Sequence, residues 1–116
     1  VYKVQALQNA DILRAMERDL GKRMKPLRVD GGAAVNNLLM QIQADLLGRR
    51  LIRPQVIETT VAGACYLAGL GVGLWESPAE VKKIWRVEKE FSLTISARAR
   101  RQRFSSWNDA LQRTLL

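Results

Sequence analysis

The sequence has 116 residues, with 19 Lys and Arg, 11 Asp and Glu, one Cys and no His, for a net charge of +8. Without histidine, Ser-His-Asp and Cys-His nucleophiles and His-ligated zinc are excluded, and one cysteine excludes an internal disulfide or a Cys-rich metal site. At 47% hydrophobic and 26% charged residues, enough apolar surface exists to offset the entropy of ordering, so disorder is excluded as well.

From Tyr2 to Leu20 the residues Tyr2, Ala6, Leu13, Met16 and Leu20 fall on one face of a helix, which Gly21 stops. Pro26 closes a short basic loop, and Leu27-Arg28-Val29 reads as a brief strand ending at Asp30. Gly31-Gly32 makes a tight turn. Ala33 to Leu47 then reads as one helix with Val35, Leu38, Leu39, Ile42 and Leu46 inward, ended by Gly48. A second strand around Arg50 to Ile52 runs into Pro54.

Thr59 or Thr60 serves as N-cap of the next helix, whose run Val61 to Trp75 is apolar on nearly all sides. Such a helix is expected to be buried between layers. The run is shorter than the roughly 20 residues of a membrane span and holds Gly63, Gly69, Gly71 and Gly73, so no membrane role is expected. Ser77-Pro78-Ala79-Glu80 is a capping box with proline at the first helical position, opening a short helix to about Trp85. Val87 to Ile95 reads as irregular or weakly extended. Ala97 to Leu116 closes the chain as a helix with Phe104, Trp107, Leu111 and Leu115 in one stripe. The order is α/β, helix-rich with few short strands, and so little sheet does not close a core alone. Together with a start at Val1, inside a helix and without methionine, this leads to the expectation of a single excised fragment spanning residues 1–116.

The stretch that most resembles a binding element runs from Leu27 to Asn37. A strand, a diglycine and a helix start in succession present backbone N–H groups and the positive helix end to an anion. Glycine lets a ligand approach where a Cβ would clash. Gly31 and Gly32 are therefore candidate nucleotide contacts, and Asn36, about one turn into the helix, offers an amide to a heterocycle edge. The alternative is a strand-to-helix turn that needs glycine only for its backbone shape. No Gly-Lys-Ser/Thr follows, so this is not a Walker loop.

These residues carry a resemblance. Arg28-Val29-Asp30-Gly31-Gly32-Ala33, Asn36-Asn37, Met40-Gln41, Asp45-Leu46-Leu47-Gly48, Arg53-Pro54 and Glu58-Thr59-Thr60 are similar to the C-terminal domain of FGGY carbohydrate kinases. Gly63 to Gly69, Glu90-Phe91 and Arg103 to Trp107 continue the match. The paired asparagines and the Glu-Thr-Thr run resemble the glycerol kinase branch more than the sugar kinases. The resemblance implies the C-terminal part of an actin/hexokinase/Hsp70-like (ribonuclease H-like) ATPase domain, in a two-domain cytoplasmic kinase that forms homo-oligomers and transfers the ATP γ-phosphoryl group to glycerol. It places Gly32 near the α-phosphate and ribose of ATP, Asn36 at the adenine, and Gly31 and Ala33 as shaping neighbours. Magnesium would bridge the terminal phosphates. The catalytic base and the glycerol contacts would belong to sequence absent here, above all an N-terminal domain, so no catalytic or metal-binding residue is expected in this chain and the fragment alone is expected to be inactive. A kinase of xylulose or ribulose is the nearest alternative. Enteric glycerol kinases carry Pro-Gly-Ile-Glu-Thr-Thr-Glu-Arg where a sugar-transport phosphocarrier docks; Leu93 to Arg100 replaces its acidic groups with arginines, so that regulation is not implied here.

Arg98, Arg100, Arg101 and Arg103, beside Phe104 and Trp107, raise a second class of function, a small basic nucleic-acid-binding module. Because the aromatics share the apolar face with Leu111 and Leu115, a solvated basic face over an aromatic core is the expected arrangement, and no nucleic-acid partner is expected. Cys65 reads as a small hydrophobe inside the buried helix. Asp45 reads as helix surface, Glu58 as the residue before a cap, and Asp30 as support for the turn, with a metal-bound water as its other possible contact.

Overall fold

The computed structural model describes residues 2–115. Helix α1 spans Tyr2–Leu20, and Gly21 ends it at φ +64°, its N–H donating to the Arg18 carbonyl at 3.2 Å. The buried face is Ala6, Leu7, Ala10 and Leu13. Tyr2, Met16 and Leu20, expected inward, are exposed.

Strand β1 is Leu27–Arg28. The single helix expected over Ala33–Leu47 is two pieces, a 3-10 turn at Gly32–Val35 and helix α2 at Asn37–Leu47. Asn36 breaks them with an extended backbone, φ −77° and ψ 101°, because its side chain caps α2. The break rotates the inward set. Leu39, Met40, Ala44, Asp45 and Leu46 are buried, whereas Val35 and Leu38, expected inward, are exposed. Gly48 closes α2 at φ +65°.

Strand β2, Leu51–Pro54, is buried along its whole length. It pairs parallel with β1, Leu27 opposite Leu51, and antiparallel with β3, Val87–Phe91, with Leu51 opposite Phe91. The sheet order is β1-β2-β3. The register shifts at Arg53/Pro54, where proline has no N–H to give the ladder. The Val87 to Ile95 segment, expected to be irregular or weakly extended, holds an edge strand over Val87–Phe91. Its residues Val87-Glu88-Lys89-Glu90 are exposed and only Phe91 is buried, so it carries no alternation to read.

Helix α3 spans Thr59–Gly71, capped by Glu58 rather than by Thr59 or Thr60. It is not buried. Val61, Leu67, Val72 and Leu74 are 62–83% exposed, and only Gly69, under the Trp75 ring, is enclosed. Its apolar circumference describes what it can pack against, and no described element lies over it. Helix α4 is Pro78–Ile84. The expected capping box is not formed: Glu80 accepts the N–H of Glu76, the residue before the cap, at 2.9 Å, and the Ser77 side chain makes no cap bond. Helix α5 is Ala97–Thr114, capped by Ser96; Leu116, its expected end, lies outside the described residues. Phe104 is buried, Trp107 and Leu111 are half-buried, and Leu115 is exposed.

Two apolar clusters hold the chain. Ala34, Leu39, Met40, Ala44, Leu51 and Phe91 join α2 to the sheet. Ala6, Leu7, Ala10, Leu46 and Phe104 join α1 and α5 to the other side of α2. The radius of gyration is 17.5 Å and the extents are 57 × 27 × 25 Å, against about 13 Å for a compact domain of this length.

Candidate functional site

β1 and β2 are parallel neighbours joined through the 3-10 turn and α2, so the turn sits at the carboxyl end of β1, where open α/β sheets place their ligands. Val29 continues the ladder by donating its N–H to Ile52 O at 3.0 Å, and the Gly31 N–H donates to Ile57 O at 2.8 Å. Gly31 then adopts φ +80°, ψ 173°, a region essentially closed to side chains. Gly32 differs. Its φ is not positive, and a Cβ there would have no heavy atom within 4 Å. Neither backbone conformation nor packing within this chain asks for glycine at position 32. Among the described residues, the Gly32 and Ala33 N–H groups meet no acceptor.

Asn36 lies between the turn and α2 rather than one turn inside a helix. Its Oδ1 accepts the Leu39 N–H at 3.0 Å, and its backbone carbonyl accepts that of Met40 at 3.0 Å. The amide oxygen is thus committed to capping, while the Nδ2 donors of this half-buried residue meet no acceptor among the described residues. Asp30 accepts the Thr59 hydroxyl, tying the turn to the first residue of α3, which is its structural use.

Two residues outside the expected set, Arg53 and Asp45, hold the elements around the turn together. Arg53, 6% exposed, donates from Nε to Glu88 at 2.7 Å, from Nη1 to the Ala34 carbonyl at 2.5 Å and from Nη2 to Asn37 Oδ1 at 2.9 Å. The hydrogen bond from Arg53, together with its charge, holds the Glu88 carboxyl below its ordinary range. Asp45, expected on a helix surface, is 5% exposed. It accepts the Thr94 N–H at 2.6 Å and the Thr94 hydroxyl at 2.8 Å, which latches α2 to the segment after β3. The available signals were a lone arginine inside the apolar strand Leu51-Ile52-Arg53-Pro54 and a lone aspartate on the buried face of α2.

The other candidates fall elsewhere. Cys65 is exposed on α3, not interior. Glu58 is exposed. The α5 aromatics face inward: Phe104 is buried under the Arg14 guanidinium at 3.7 Å, and Trp107 Nε1 donates to Asp11 at 2.8 Å. That leaves no stacking platform beside the arginines. A concavity of about 840 Å³ lies between the end of α1 and α5. Its two carboxylates are already engaged, Asp11 by Trp107 and Glu17 by Arg49, and the rest of its charge is surface arginine and lysine. The turn at Gly31–Asn36, with its unexplained glycine and unused donors, is the better candidate. Among the described residues, no group of three His, Cys, Asp or Glu is placed to hold a metal.

Comparison with known proteins identifies the family of the chain. Residues 1–72 match the C-terminal domain of the FGGY family of carbohydrate kinases. A glycerol kinase of Bdellovibrio bacteriovorus is 51% identical over 111 residues, 96% of this chain and 22% of the relative. One of Dechloromonas aromatica is 52% identical over 110 residues, 95% of this chain and 22% of the relative. The chain therefore spans about a fifth of the length of these curated relatives. Among solved structures, Plasmodium falciparum glycerol kinase with ADP superposes with a TM-score of 0.88 at 32% identity, over 99% of this chain and 23% of that one. A xylulose kinase from Rhodospirillum rubrum superposes with a TM-score of 0.71 at 22% identity, over 98% and 23%, and shows the fold alone. The helix-rich architecture with three short strands is that of an actin/hexokinase-like ATPase domain part. From the diglycine turn through α3, in sequence and in fold, this chain belongs to the FGGY family of carbohydrate kinases.

Proposed function

We propose that the turn Gly31–Asn36 is the adenosine side of the ATP site of a glycerol kinase, and that residues 1–116 are the last part of its nucleotide-binding domain. One observation carries the reading: Gly32 has an ordinary backbone and open space where a side chain would be, and the 3-10 turn it opens ends at an asparagine whose Nδ2 donors meet no acceptor among the described residues. The Asn36 Nδ2 group donates to an acceptor on the adenine edge, and the missing Cβ at Gly32 lets the ribose and α-phosphate approach the backbone. The free N–H groups of Gly32 and Ala33, at the positive end of the turn, favour the phosphate charge. The described residues offer no acidic cluster that fits magnesium, so the cation expected with ATP is left to the phosphates and to the rest of the protein. The same is true of the base that takes the proton from the glycerol hydroxyl. Identity near 50% to glycerol kinases favours glycerol over a ketopentose as acceptor.

The test is ATP consumption by the full-length protein with glycerol, xylulose or ribulose as acceptor. Turnover with glycerol is expected, and none from the purified 116-residue chain, because positioning and proton transfer need groups it lacks. Preference for a ketopentose would overturn the acceptor assignment. An unchanged ATP KM in Gly32→Val would overturn the nucleotide assignment.

A further inference from the structure

β2 is buried at every position, yet it holds a guanidinium at its third residue. A buried charge of this kind adds little stability over an apolar residue of the same volume, so the fork must be explained by what it holds. Its two terminal nitrogens bond on opposite sides of Asn36. Nη1 takes the carbonyl of Ala34, in the 3-10 turn, and Nη2 takes the side chain of Asn37, the first residue of α2. Nε is fixed from the other side by Glu88 of β3, and the guanidinium lies 5.3 Å from the Phe91 ring centre. One rigid, planar group therefore spans the break between the two elements that Asn36 joins.

We infer that Arg53 is a positioning residue for nucleotide binding: by clamping Ala34 and Asn37 to the sheet it sets the angle between the 3-10 turn and α2, and so the direction of the Asn36 amide. The inference rests on the nucleotide reading above. Arg53 itself touches no ligand. Its effect is carried by the orientation of Asn36 and Gly32. Lysine cannot substitute, because one ammonium on a flexible stem pairs with Glu88 without forking to both sides of the hinge.

The experiment measures ATP KM, glycerol KM, kcat and melting in the full-length protein for Arg53→Lys, Asn37→Ala, their combination, Gly32→Val and Arg49→Gln. Arg49 is the matched control, a second arginine 6% exposed, bonded to Glu17 and the Met24 carbonyl well away from the turn. Arg53→Lys and Asn37→Ala should each raise ATP KM by about two- to twelvefold, the range of one lost net hydrogen bond, with kcat and glycerol KM nearly unchanged. The double variant should be no worse than Arg53→Lys alone, since both remove the same bond. Arg49→Gln should lower the melting temperature and leave ATP KM alone. If Gly32→Val raises ATP KM while Arg53→Lys and Asn37→Ala do not, the positioning role is refuted and the nucleotide site stands. If Arg49→Gln raises ATP KM as much as Arg53→Lys, the effect is general destabilisation and the role is again refuted. An unchanged ATP KM in Gly32→Val removes the underlying reading itself. Should Arg53→Lys fail to fold, the exposed Asn37→Ala variant decides alone.

Discussion

Asn36 has two ends with separate tasks, and they can be separated by substitution. In Asn36→Ala both are lost. The cap bond from Leu39 N–H to Oδ1, 3.0 Å long, disappears at a cost of about 0.5–2 kcal/mol. In a protein of which this chain is about a fifth, ~1 kcal/mol lowers the melting midpoint by less than the roughly 2–4 °C it costs a unit of 150–250 residues. The Nδ2 donor disappears too, and with it a net hydrogen bond of about 0.5–1.5 kcal/mol to adenine, a two- to twelvefold rise in ATP KM. In Asn36→Asp an oxygen still accepts from Leu39, and a carboxylate at a helix N-terminus adds about 0.3–1 kcal/mol, so melting should match or exceed the parent. ATP KM should still rise at least as far as in the alanine variant, because a carboxylate donates nothing and repels phosphate. Initial rates with varied ATP and with varied glycerol, alongside thermal melts of the full-length protein, supply both readouts. An Asp variant with the parent's ATP KM would show that Nδ2 does not touch the nucleotide. An Ala variant with the parent's melting midpoint would show that the cap contributes nothing.

The neighbouring glycines should respond in opposite ways: Gly31→Ala destabilises by about 1–3 kcal/mol because φ +80° is closed to a Cβ, whereas Gly32→Ala leaves stability unchanged or raises it by up to about 1 kcal/mol while raising ATP KM. Denaturant titration and nucleotide kinetics of the two variants check this contrast. The hydrogen bonds that Glu17 accepts from Arg49, and then from the Met24 N–H, hold its carboxyl below the ordinary value of 4.5. A lowered folded-state pKa gives stability that is present above 4.5 and lost as pH falls through the folded value, so Glu17→Gln should flatten the acid limb of a melting-versus-pH profile below about pH 4.5. In the isolated 116-residue chain the exposed α3 face should bind a hydrophobic dye, Cys65 should react freely with a thiol reagent, and Leu67→Glu should reduce dye binding. A monodisperse, dye-silent monomer would count against it.

Much of the architecture could be read from local chemistry. Gly21 and Gly48 marked two helix ends, Ser77-Pro78 marked a start, and the Leu27 to Asn37 stretch marked the turn, because each is decided by a few adjacent residues. What escaped depends on contacts far along the chain. The buried side of α2 turned on whether Asn36 would cap or continue a helix, and its neighbours in sequence permit both. β3 is a strand only because β2 lies beside it; its alternating charges carry no apolar face. Asp45 was read as helix surface and Arg53 was given no structural role; both are buried because Thr94, Ala34 and Asn37 satisfy them, partners 16 to 49 positions away. The α3 helix failed in the other direction, since an apolar circumference states a requirement for cover without saying where the cover comes from. At the site, the glycines and Asn36 were legible as types, while the fork that fixes them was not.

The position of Arg53 also has a kinetic consequence. It sits on the only strand that pairs with both others, Leu51 facing Leu27 on one side and Phe91 on the other, and its guanidinium touches residues from the turn, α2 and β3 together. Those bonds cannot all close until the most distant segment has docked, which is the slow, non-local step of assembly. We expect loss of the Arg53 fork to appear as faster unfolding with little change in the refolding rate, because its bonds need three separate segments already in place.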